Sequence, residues 1–239
     1  MQAMIFAAGI GKRLGEITTV QPKALVEING KSLLRIAVEK LTSEGFEDII
    51  INIHHFAERV ENEIIELRKE GYCLSISDER DLLLETGGGL YKARSFFRSE
   101  PFLLYNADII TDIDLSSFYC HHIRQRGIAT LAVAERGNDR VFLINPGGVV
   151  CGWQNRKTGE RVISREETGP LTEISFSGIH VADPAIFGFM SQGIYSMTSL
   201  YLKIAGSQII NTVRHDEDFW ADIGTPEELE RVRKFLADR

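Results

Sequence analysis

The chain has 239 residues, of which 44% are hydrophobic, and a formal net charge of −7. That length is sufficient for one substantial core, or for a core with a subdomain. The negative charge argues against a broad basic surface for nucleic acid, and no apolar stretch approaches the ~20 residues that span a bilayer. The three cysteines are widely spaced without a C-x-x-C pair, which argues against a disulfide framework or a zinc knuckle. We therefore expect a protein of the reducing cytoplasm.

The first half of the chain alternates short apolar segments with amphipathic ones. The apolar segments predict strands near 2–7 and at 48–53, 72–77 and 102–106. Helices are predicted between them, from Ser32 to Gly45, over 57–70, and over 90–97 behind a glycine loop at 85–89. Strands that alternate with helices indicate an α/β protein with a Rossmann-like, mostly parallel sheet covered on both faces.

The rhythm changes from about residue 128. Short strand-like pieces are then separated by turn-forming strings, at 145–148, 157–159 and 168–170. This pattern predicts a small hairpin-rich layer over 113–211, added to a core made of 1–112 and 212–239. No linker separates the parts, so the whole chain is predicted to form one domain. The N-cap, proline and glutamate at 225–228 start a C-terminal helix.

The most informative segment is the turn that follows the first predicted strand. It contains glycines and cations in close succession, and a further cation follows it: Gly9, Gly11, Gly15, Lys12, Arg13 and Lys23. Exposed amides and cations together favour a polyphosphate ligand. A dinucleotide-binding fingerprint is one alternative, but Gly15 stands one residue late for it, and the second strand ends in His54 and His55 without a carboxylate. No Walker A string occurs, and a plain structural turn is the other alternative.

Two aspartates stand at predicted strand tips, far apart in the chain. Asp108 follows the strand at 102–106, and Asp222 lies between an aromatic-rich strand and the C-terminal helix. Ligands of parallel sheets bind beyond the carboxyl ends of strands, and Mg²⁺ takes one or two carboxylates together with phosphate and water. Asp108 and Asp222 are therefore predicted to share a magnesium ion. The alternative is that each only orders its own turn.

Two other segments are candidates for ligand contacts. The three successive glycines of the segment 85–89 allow a nucleobase to come against the backbone, and a flexible loop without a ligand is the alternative. Glu173 precedes a predicted strand over 174–179 and is a candidate acceptor for sugar hydroxyls, against a plain acid at a strand edge. His121 and His122 fall in a predicted helix and are expected on its surface.

Taken together, these motifs resemble those of the sugar-1-phosphate nucleotidyltransferases. The matching strings run through nearly the whole chain: A-A-G-I-G-K-R-L at 7–14, P-K at 22–23, E-T-G-G-G at 85–89, N-A-D at 106–108, F-S-G-I at 176–179 and W-A-D-I-G-T-P at 220–226. The chain departs from many members at 15–18, where G-E-I-T replaces R-P-L-T. Within the family, the short length, E-T-G-G-G and F-S-G-I are most similar to N-acetylmuramate-1-phosphate uridylyltransferases. Mannose- or heptose-1-phosphate guanylyltransferases are the alternative.

The resemblance implies a GT-A-like nucleotidyltransferase fold and a definite reaction. A nucleotidyl group passes from an NTP, with UTP the first choice, to a sugar 1-phosphate, and pyrophosphate is released. The resemblance also implies Mg²⁺ as cofactor, held by Asp108 and Asp222. It assigns Lys23 to the phosphates near the reacting centre and Arg13 to the leaving β- and γ-phosphates.

The remaining residues implied by the resemblance form two sets. The nucleotide set comprises Ala8, Gly9, Gly11, Lys12, Arg13, Lys23, Glu85, Gly87 and Gly88. The sugar set comprises Asn106, Glu173 and Gly178. The expected partners are an NTP and a sugar 1-phosphate, without nucleic acid or membrane, in a monomer or small homo-oligomer. The alternative to an enzyme is a non-catalytic sensor that binds nucleotide sugars.

Overall fold

The computed structural model describes residues 1–237, so the predicted core segment 212–239 extends two residues beyond the described chain. The strands are β1 Gln2–Phe6, β2 Glu27–Ile28, β3 Lys31–Ser32, β4 Asp48–Ile53, β5 Cys73–Asp78, β6 Phe102–Asn106, β7 Ile109–Thr111, β8 Ala129–Ala134, β9 Arg140–Ile144, β10 Val150–Asn155, β11 Arg161–Ile163, β12 Thr172–Ala182, β13 Ile210–Arg214 and β14 Trp220–Asp222. The α-helices are α1 Ile17–Val20, α2 Leu33–Ser43, α3 Ala57–Lys69, α4 Glu85–Ala93, α5 Leu115–Gln125, α6 Met197–Ile204 and α7 Pro226–Ala237. Short 3₁₀ helices cover Lys12–Leu14, Lys23–Leu25, Arg94–Phe96 and Pro184–Phe189. None of the helices in the described chain is long and apolar enough to cross a membrane.

Ten strands of the described chain form one sheet. At its centre, β1 lies between β4 and β6 and runs parallel to both, and β5 continues the parallel part beyond β4. Past β6 the pairings are antiparallel, with β12 paired to β6, β8 and β9, and with β10 and β11 extending to the edge. The exception is β13, which runs parallel to β8. The predicted α/β protein with a mostly parallel central sheet is confirmed. The boundaries predicted for its two parts stay a prediction.

The central strand shows why the sheet is covered on both faces. Consecutive side chains of a strand point to opposite sides. Ala3 and Ile5 belong to an apolar cluster with α2, α3 and α5, whereas Met4 and Phe6 belong to a second cluster with α4 and α6. All of β1 is buried, as a strand with helices on both faces requires.

A third apolar cluster attaches the N-terminal turn to the end of the chain. Leu14 of the turn packs there with Ile110 of β7 and Ile223, which follows β14. Strands β7 and β14 pair antiparallel, and Asp222 lies opposite Ile109. Because Ile109 directly follows Asp108, this pairing brings two aspartates from distant parts of the chain to one place.

The segment predicted as a glycine loop is helical. Helix α4 begins at Glu85 and includes all three glycines, which are buried. A Cβ atom at Gly87 would lie 2.5 Å from the ring of Tyr195, and one at Gly88 would lie 2.1 Å from the carbonyl oxygen of Gly193. The glycines therefore let α4 pack against a neighbouring segment, so the loop prediction was wrong, as was the alternative of a flexible connection.

The surface prediction for His122 was also wrong. His122 lies on the inner face of α5, is 2% exposed, and shares a hydrogen bond between its Nδ1 and Oγ1 of Thr130, 2.9 Å apart. Burial lowers the pKa of His122. An adjacent pair of histidines in an amphipathic helix places one toward the core, and here a buried hydroxyl on β8 satisfies it.

Candidate active site

The turn after β1 closes over Lys23 and presents backbone amides. Gly11 has a φ of +71°, and a Cβ atom there would lie 2.9 Å from both Cβ of Lys23 and Cγ2 of Thr18. The position therefore needs glycine for its conformation and for its close contacts. No described residue accepts a hydrogen bond from the N–H of Ala8 or Gly9. These amides are donors that an anion can use.

A buried polar pair fixes the start of this turn. Asn52 of β4 accepts the N–H of Ala7 at 2.8 Å and donates to Oε1 of Glu79 at 2.8 Å. Oε2 of Glu79 accepts the N–H of Leu84, immediately before α4, at 3.3 Å. Burial raises the pKa of Glu79, and these hydrogen bonds oppose the shift. Sequence reasoning did not identify this pair, although the asparagine stands out as the polar residue inside the apolar run 49–53.

Asp108 and Asp222 meet at the amine of Lys23. Lys23 donates from Nζ to Oδ2 of Asp108, and the same nitrogen lies 3.5 Å from Oδ1 of Asp222. The Lys23 side chain is 12% exposed and that of Asp108 22%, so the cluster is largely shielded from water. Burial raises the pKa of Asp108; the charge of Lys23 opposes this shift, and the charge of Asp222 adds to it. The structure thus brings together three of the four residues predicted to be catalytic.

Arg13, the fourth, lies on the open side of this cluster. Its Nη2 is 3.1 Å from Oδ2 of Asp222, and its side chain is 67% exposed. A Cβ atom at Gly224 would lie 2.7 Å from that nitrogen, so the glycine of the D-I-G string makes room for the guanidinium. Exposed ion pairs contribute at most about 1 kcal/mol. Arg13 is therefore free to exchange Asp222 for another anion at little cost.

The two carboxylates suit a magnesium ion. Mg²⁺ takes oxygen ligands, of which proteins usually supply one or two carboxylates while phosphate and water complete the shell. Oδ1 of Asp222 is buried and has no hydrogen-bond partner among the described residues. The amine of Lys23 lies 3.5 Å from this oxygen, so a metal ion can take the place of an ion pair there. Within the described chain, no group of three or more His, Cys, Asp or Glu side chains is arranged to hold a metal ion.

A cavity of about 1030 Å³ opens beside the carboxylates. Arg13 and Asp222 line one part of it, and the β8–β9 connection, residues 136–140, lines another. Trp220 forms a wall and donates from Nε1 to the carbonyl oxygen of Ser177 at 2.8 Å. The volume of the cavity lies at the upper end of the range for small-molecule sites, which suits a nucleotide together with a sugar phosphate.

The residues predicted on the sugar side lie in two places. Asn106 ends β6, and Gly178 of β12 lies against it. Gly178 has a φ of +74°, and a Cβ atom there would lie only 2.7 Å from Nδ2 of Asn106. This contact is two residues before Asp108. Glu173 lies near the start of β12 and pairs with Nε of Arg156 at 2.6 Å. It is not among the described residues that line the large cavity.

The residues predicted to face the base lie at the start of α4. Glu85 is exposed and has a φ of +58°, an uncommon conformation for a residue with a side chain. The N–H groups of Gly87 and Gly88 both donate to the carbonyl oxygen of Tyr195, at 2.8 and 3.1 Å. These amides are thus engaged within the chain. Lys12 is exposed on the phosphate-side turn and forms no ion pair with a described residue.

Comparison with known proteins gives the class of protein that this fold and site define. The family model described as Nucleotidyl transferase matches residues 2–239. The chain therefore belongs to the nucleotidyl transferase family, as the sequence motifs predict.

The relatives define the type of enzyme within that family. An N-acetylmuramate alpha-1-phosphate uridylyltransferase of Caulobacter vibrioides is 28% identical over 237 residues, which cover 94% of this chain and 92% of the relative. The mannose-1-phosphate guanyltransferase beta-B of Xenopus laevis is 27% identical over 96% of this chain and 62% of the relative. The protein is accordingly a sugar-phosphate nucleotidyltransferase, and the prediction that it is such an enzyme is confirmed.

A solved structure gives the same fold. HddC from Yersinia pseudotuberculosis, complexed with GMP-PN, superposes with a TM-score of 0.79. The match covers 98% of this chain and 99% of that one, at 20% sequence identity. At that identity the likeness establishes the fold, and it leaves the base and the sugar to other arguments.

Proposed function

We propose that the enzyme transfers a uridylyl group from UTP to N-acetylmuramate 1-phosphate and releases pyrophosphate. The observation that carries the proposal is the convergence of Lys23, Asp108 and Asp222 beside the turn with unused amides. The choice of base and sugar is supported by uridylyltransferases of Caulobacter vibrioides and Neisseria meningitidis, each 28% identical over nearly the whole chain. Transfer from GTP to mannose 1-phosphate is the second candidate, and the relative from Xenopus laevis favours it.

The chemistry asks for positioning and charge neutralisation more than for a strong base. The attacking oxygen of the sugar phosphate is already anionic, and the obstacle is to bring two polyanions together. We assign Lys23 to the α-phosphate and Arg13 to the β- and γ-phosphates. Each would exchange an aspartate for a phosphate oxygen, while the amides near Ala8 and Gly9 receive the remaining phosphate charge.

Asp108 and Asp222 are the residues that would hold Mg²⁺. When bound, the ion supplies positive charge where the α-phosphate and the sugar phosphate meet. The carboxylates of this chain would fix its place, and Oδ1 of Asp222, which accepts no hydrogen bond from a described residue and lies 3.5 Å from the amine of Lys23, supports that assignment. The ammonium of Lys23, now shared between both carboxylates, is then available to the nucleotide.

The remaining assignments follow from position. The turn residues Gly11 and Lys12 are proposed on the nucleotide side, with Glu85, Gly87 and Gly88 near the base. Asn106 and Gly178 are proposed on the sugar side because their contact precedes Asp108, and Glu173 remains a weaker candidate. The cytoplasmic location, a role in cell-wall metabolism and a monomeric or small oligomeric state stay predictions.

Product analysis tests the proposal. The enzyme is incubated with Mg²⁺ and either UTP with N-acetylmuramate 1-phosphate or GTP with mannose 1-phosphate, and the nucleotide sugars are identified by mass spectrometry. We expect UDP-N-acetylmuramate and equimolar pyrophosphate, with kcat/KM roughly 100-fold above the second pair. Preferred formation of GDP-mannose would establish the second candidate instead. Tight nucleotide binding without pyrophosphate from any pair would favour a non-catalytic sensor.

A further inference from the structure

Arg136 is a half-buried cation without a carboxylate partner. It lies in the β8–β9 connection, with its Cζ 3.6 Å from the ring centroid of Trp220. Its Nη1 donates to Oγ of Ser177 at 3.0 Å, and its Nη2 to Nε2 of His215 at 3.2 Å. No described aspartate or glutamate pairs with this guanidinium; burial lowers the pKa of Arg136 to about 10, and the nearby charge of Asp216 opposes that shift.

The groups around Arg136 hold it in one orientation. Oγ of Ser177 also lies 2.6 Å from Nε2 of His215. Burial, together with the charge of Arg136, lowers the pKa of His215 to about 4. The imidazole is therefore neutral at pH 7, and its Nε2 accepts from both neighbours. The guanidinium is fixed between an indole face and two neutral hydrogen-bonding groups.

Most of the hydrogen-bonding capacity of Arg136 is unused. A guanidinium has five N–H groups. Ser177 and His215 take two of them, which leaves three without an acceptor among the described residues. Arg136 lines the large cavity together with Asp222 and Trp220. A half-buried guanidinium with free N–H groups forms strong charge-assisted hydrogen bonds, so an anion bound in this cavity would stabilise Arg136.

The position of Arg136 selects the anion. Trp220 and Asp222 are separated by one residue of β14, so their side chains share a face of the strand roughly 6–7 Å apart. Arg136 stacks on the ring of Trp220 and lines the same cavity as Asp222. A phosphate that reaches the proposed magnesium site at Asp222 from this cavity can therefore also meet the free N–H groups of Arg136.

We propose that Arg136 binds the phosphate of the incoming sugar 1-phosphate and orients its attacking oxygen. The inference rests on the proposed function, whose reaction forms a bond from that oxygen to the α-phosphorus and breaks the bond to the pyrophosphate oxygen, which leaves with the electron pair. Ser177 and His215 act through Arg136 and are positioning residues.

Steady-state kinetics with two acceptors test this role. Arg136→Gln is compared with Arg140→Gln, which removes another cation from the lining of the same cavity. The acceptors are N-acetylmuramate 1-phosphate, which carries a carboxylate on its sugar, and N-acetylglucosamine 1-phosphate, which does not. We expect Arg136→Gln to raise KM for both acceptors roughly 10- to 100-fold, because a hydrogen bond to a charged group is lost. The KM for UTP should change less than about twofold in either variant.

Two outcomes with Arg136→Gln overturn the inference. A KM increase confined to N-acetylmuramate 1-phosphate would place Arg136 on the sugar carboxylate. An equal rise in acceptor KM in Arg136→Gln and Arg140→Gln would mean that only the overall charge of the cavity matters. If Arg136→Gln does not fold, Ser177→Ala keeps the guanidinium but loses one of its supports, and we expect KM for the acceptors to rise about threefold to tenfold. An unchanged KM in that variant contradicts the inference.

Failure of the proposed function is distinguishable from failure of this inference. If the wild type turns over no substrate pair, the proposed function is contradicted. Titration calorimetry of N-acetylglucosamine 1-phosphate then measures Arg136 directly. Weaker binding to Arg136→Gln than to the wild type would support the phosphate contact, and equal binding would overturn it.

Discussion

The proposed nucleotide side and the proposed sugar side of the site hold their cations in different ways. On the nucleotide side, Lys23 and Arg13 each pair with an aspartate. On the sugar side, Arg136 is held by the neutral side chains of Ser177 and His215. Paired cations can change partners as substrate arrives and pyrophosphate leaves, whereas Arg136 is fixed beforehand. One side is therefore suited to exchange and the other to orientation.

The largest effect on kcat is expected when either carboxylate of the proposed nucleotide side is replaced. Asp108→Asn and Asp222→Asn should each lower kcat about 1000-fold, or roughly 4 kcal/mol, because a neutral amide is a poor ligand for a divalent cation. Pyrophosphate release at saturating Mg²⁺ measures this. Asp112→Asn is the matched control, since its side chain accepts the N–H of Phe219 and an amide oxygen can do the same. An active, Mg²⁺-dependent Asp108→Asn enzyme would refute the assignment.

The next effect concerns the cation that is shared between both aspartates. Lys23→Ala should lower kcat/KM about 100-fold, or ~3 kcal/mol, because the phosphates lose a positioned charge. Lys31→Ala removes an exposed lysine that pairs with Glu39 and should leave kcat/KM close to wild type. Similar losses in the two variants would indicate that only overall charge matters on the nucleotide side.

Two glycines on the proposed nucleotide side have different roles: Gly88 allows close packing, and Gly9 allows a ligand to approach the backbone. Gly88→Ala should lower the free energy of unfolding by about 2–3 kcal/mol, because its Cβ would meet a backbone oxygen. A Cβ at Gly9 meets nothing within 4 Å, so Gly9→Ala should fold normally and raise KM for the nucleotide instead. Urea unfolding and initial rates distinguish the two. A fully stable Gly88→Ala variant would contradict the packing role of this glycine.

The two sides should also respond to acid with opposite signs. The pKa of His215 is lowered to about 4 in the folded protein, so its contribution to stability is complete above its unfolded pKa of about 6.5 and is lost as the pH falls toward 4. The pKa of Asp108 is raised, so the folded state takes up its proton more readily than the unfolded state, and acid relieves a destabilising charge. At pH 5 the lowered pKa of His215 reduces the free energy of unfolding by about 2 kcal/mol.

Unfolding at pH 7 and pH 5 measures this difference. His215→Gln should lose less stability than the wild type between these two values, because the group that resists protonation is gone. Asp108→Asn should lose more, because the compensating carboxyl is gone. The same loss in all three proteins would contradict the assigned pKa directions.

The parts of the site that are readable from sequence depend on short-range chemistry. The turn at 9–15 combines glycines with cations within a few residues, and its physical meaning is local. The meeting of Asp108 with Asp222 is predicted from the edge that parallel strands share, but only Asp108 follows a strand of the parallel sheet. Asp222 ends β14, whose antiparallel pairing with β7 brings it to Asp108. The residue strings that carry the family resemblance lie mostly in these places.

The unpredicted parts depend on long-range packing. The start of α4 is not foreseeable, because three glycines are poor helix formers and only the fit against Tyr195 makes them suitable. Arg136, Ser177 and His215 come from three separate segments that meet only in the folded sheet. Each is an ordinary residue in its local pattern, and only their convergence distinguishes them.

Anomalous diffraction from crystals grown with Mn²⁺ and UTP tests the central claim most directly. The claim is that Asp108 and Asp222 hold one divalent cation against the nucleotide phosphates. The account predicts an anomalous peak at coordinating distance, roughly 2.0–2.3 Å, from a carboxylate oxygen of each aspartate, with the amine of Lys23 moved onto a phosphate. A peak bound to phosphate oxygens alone, with Lys23 still paired to Asp108, would contradict it.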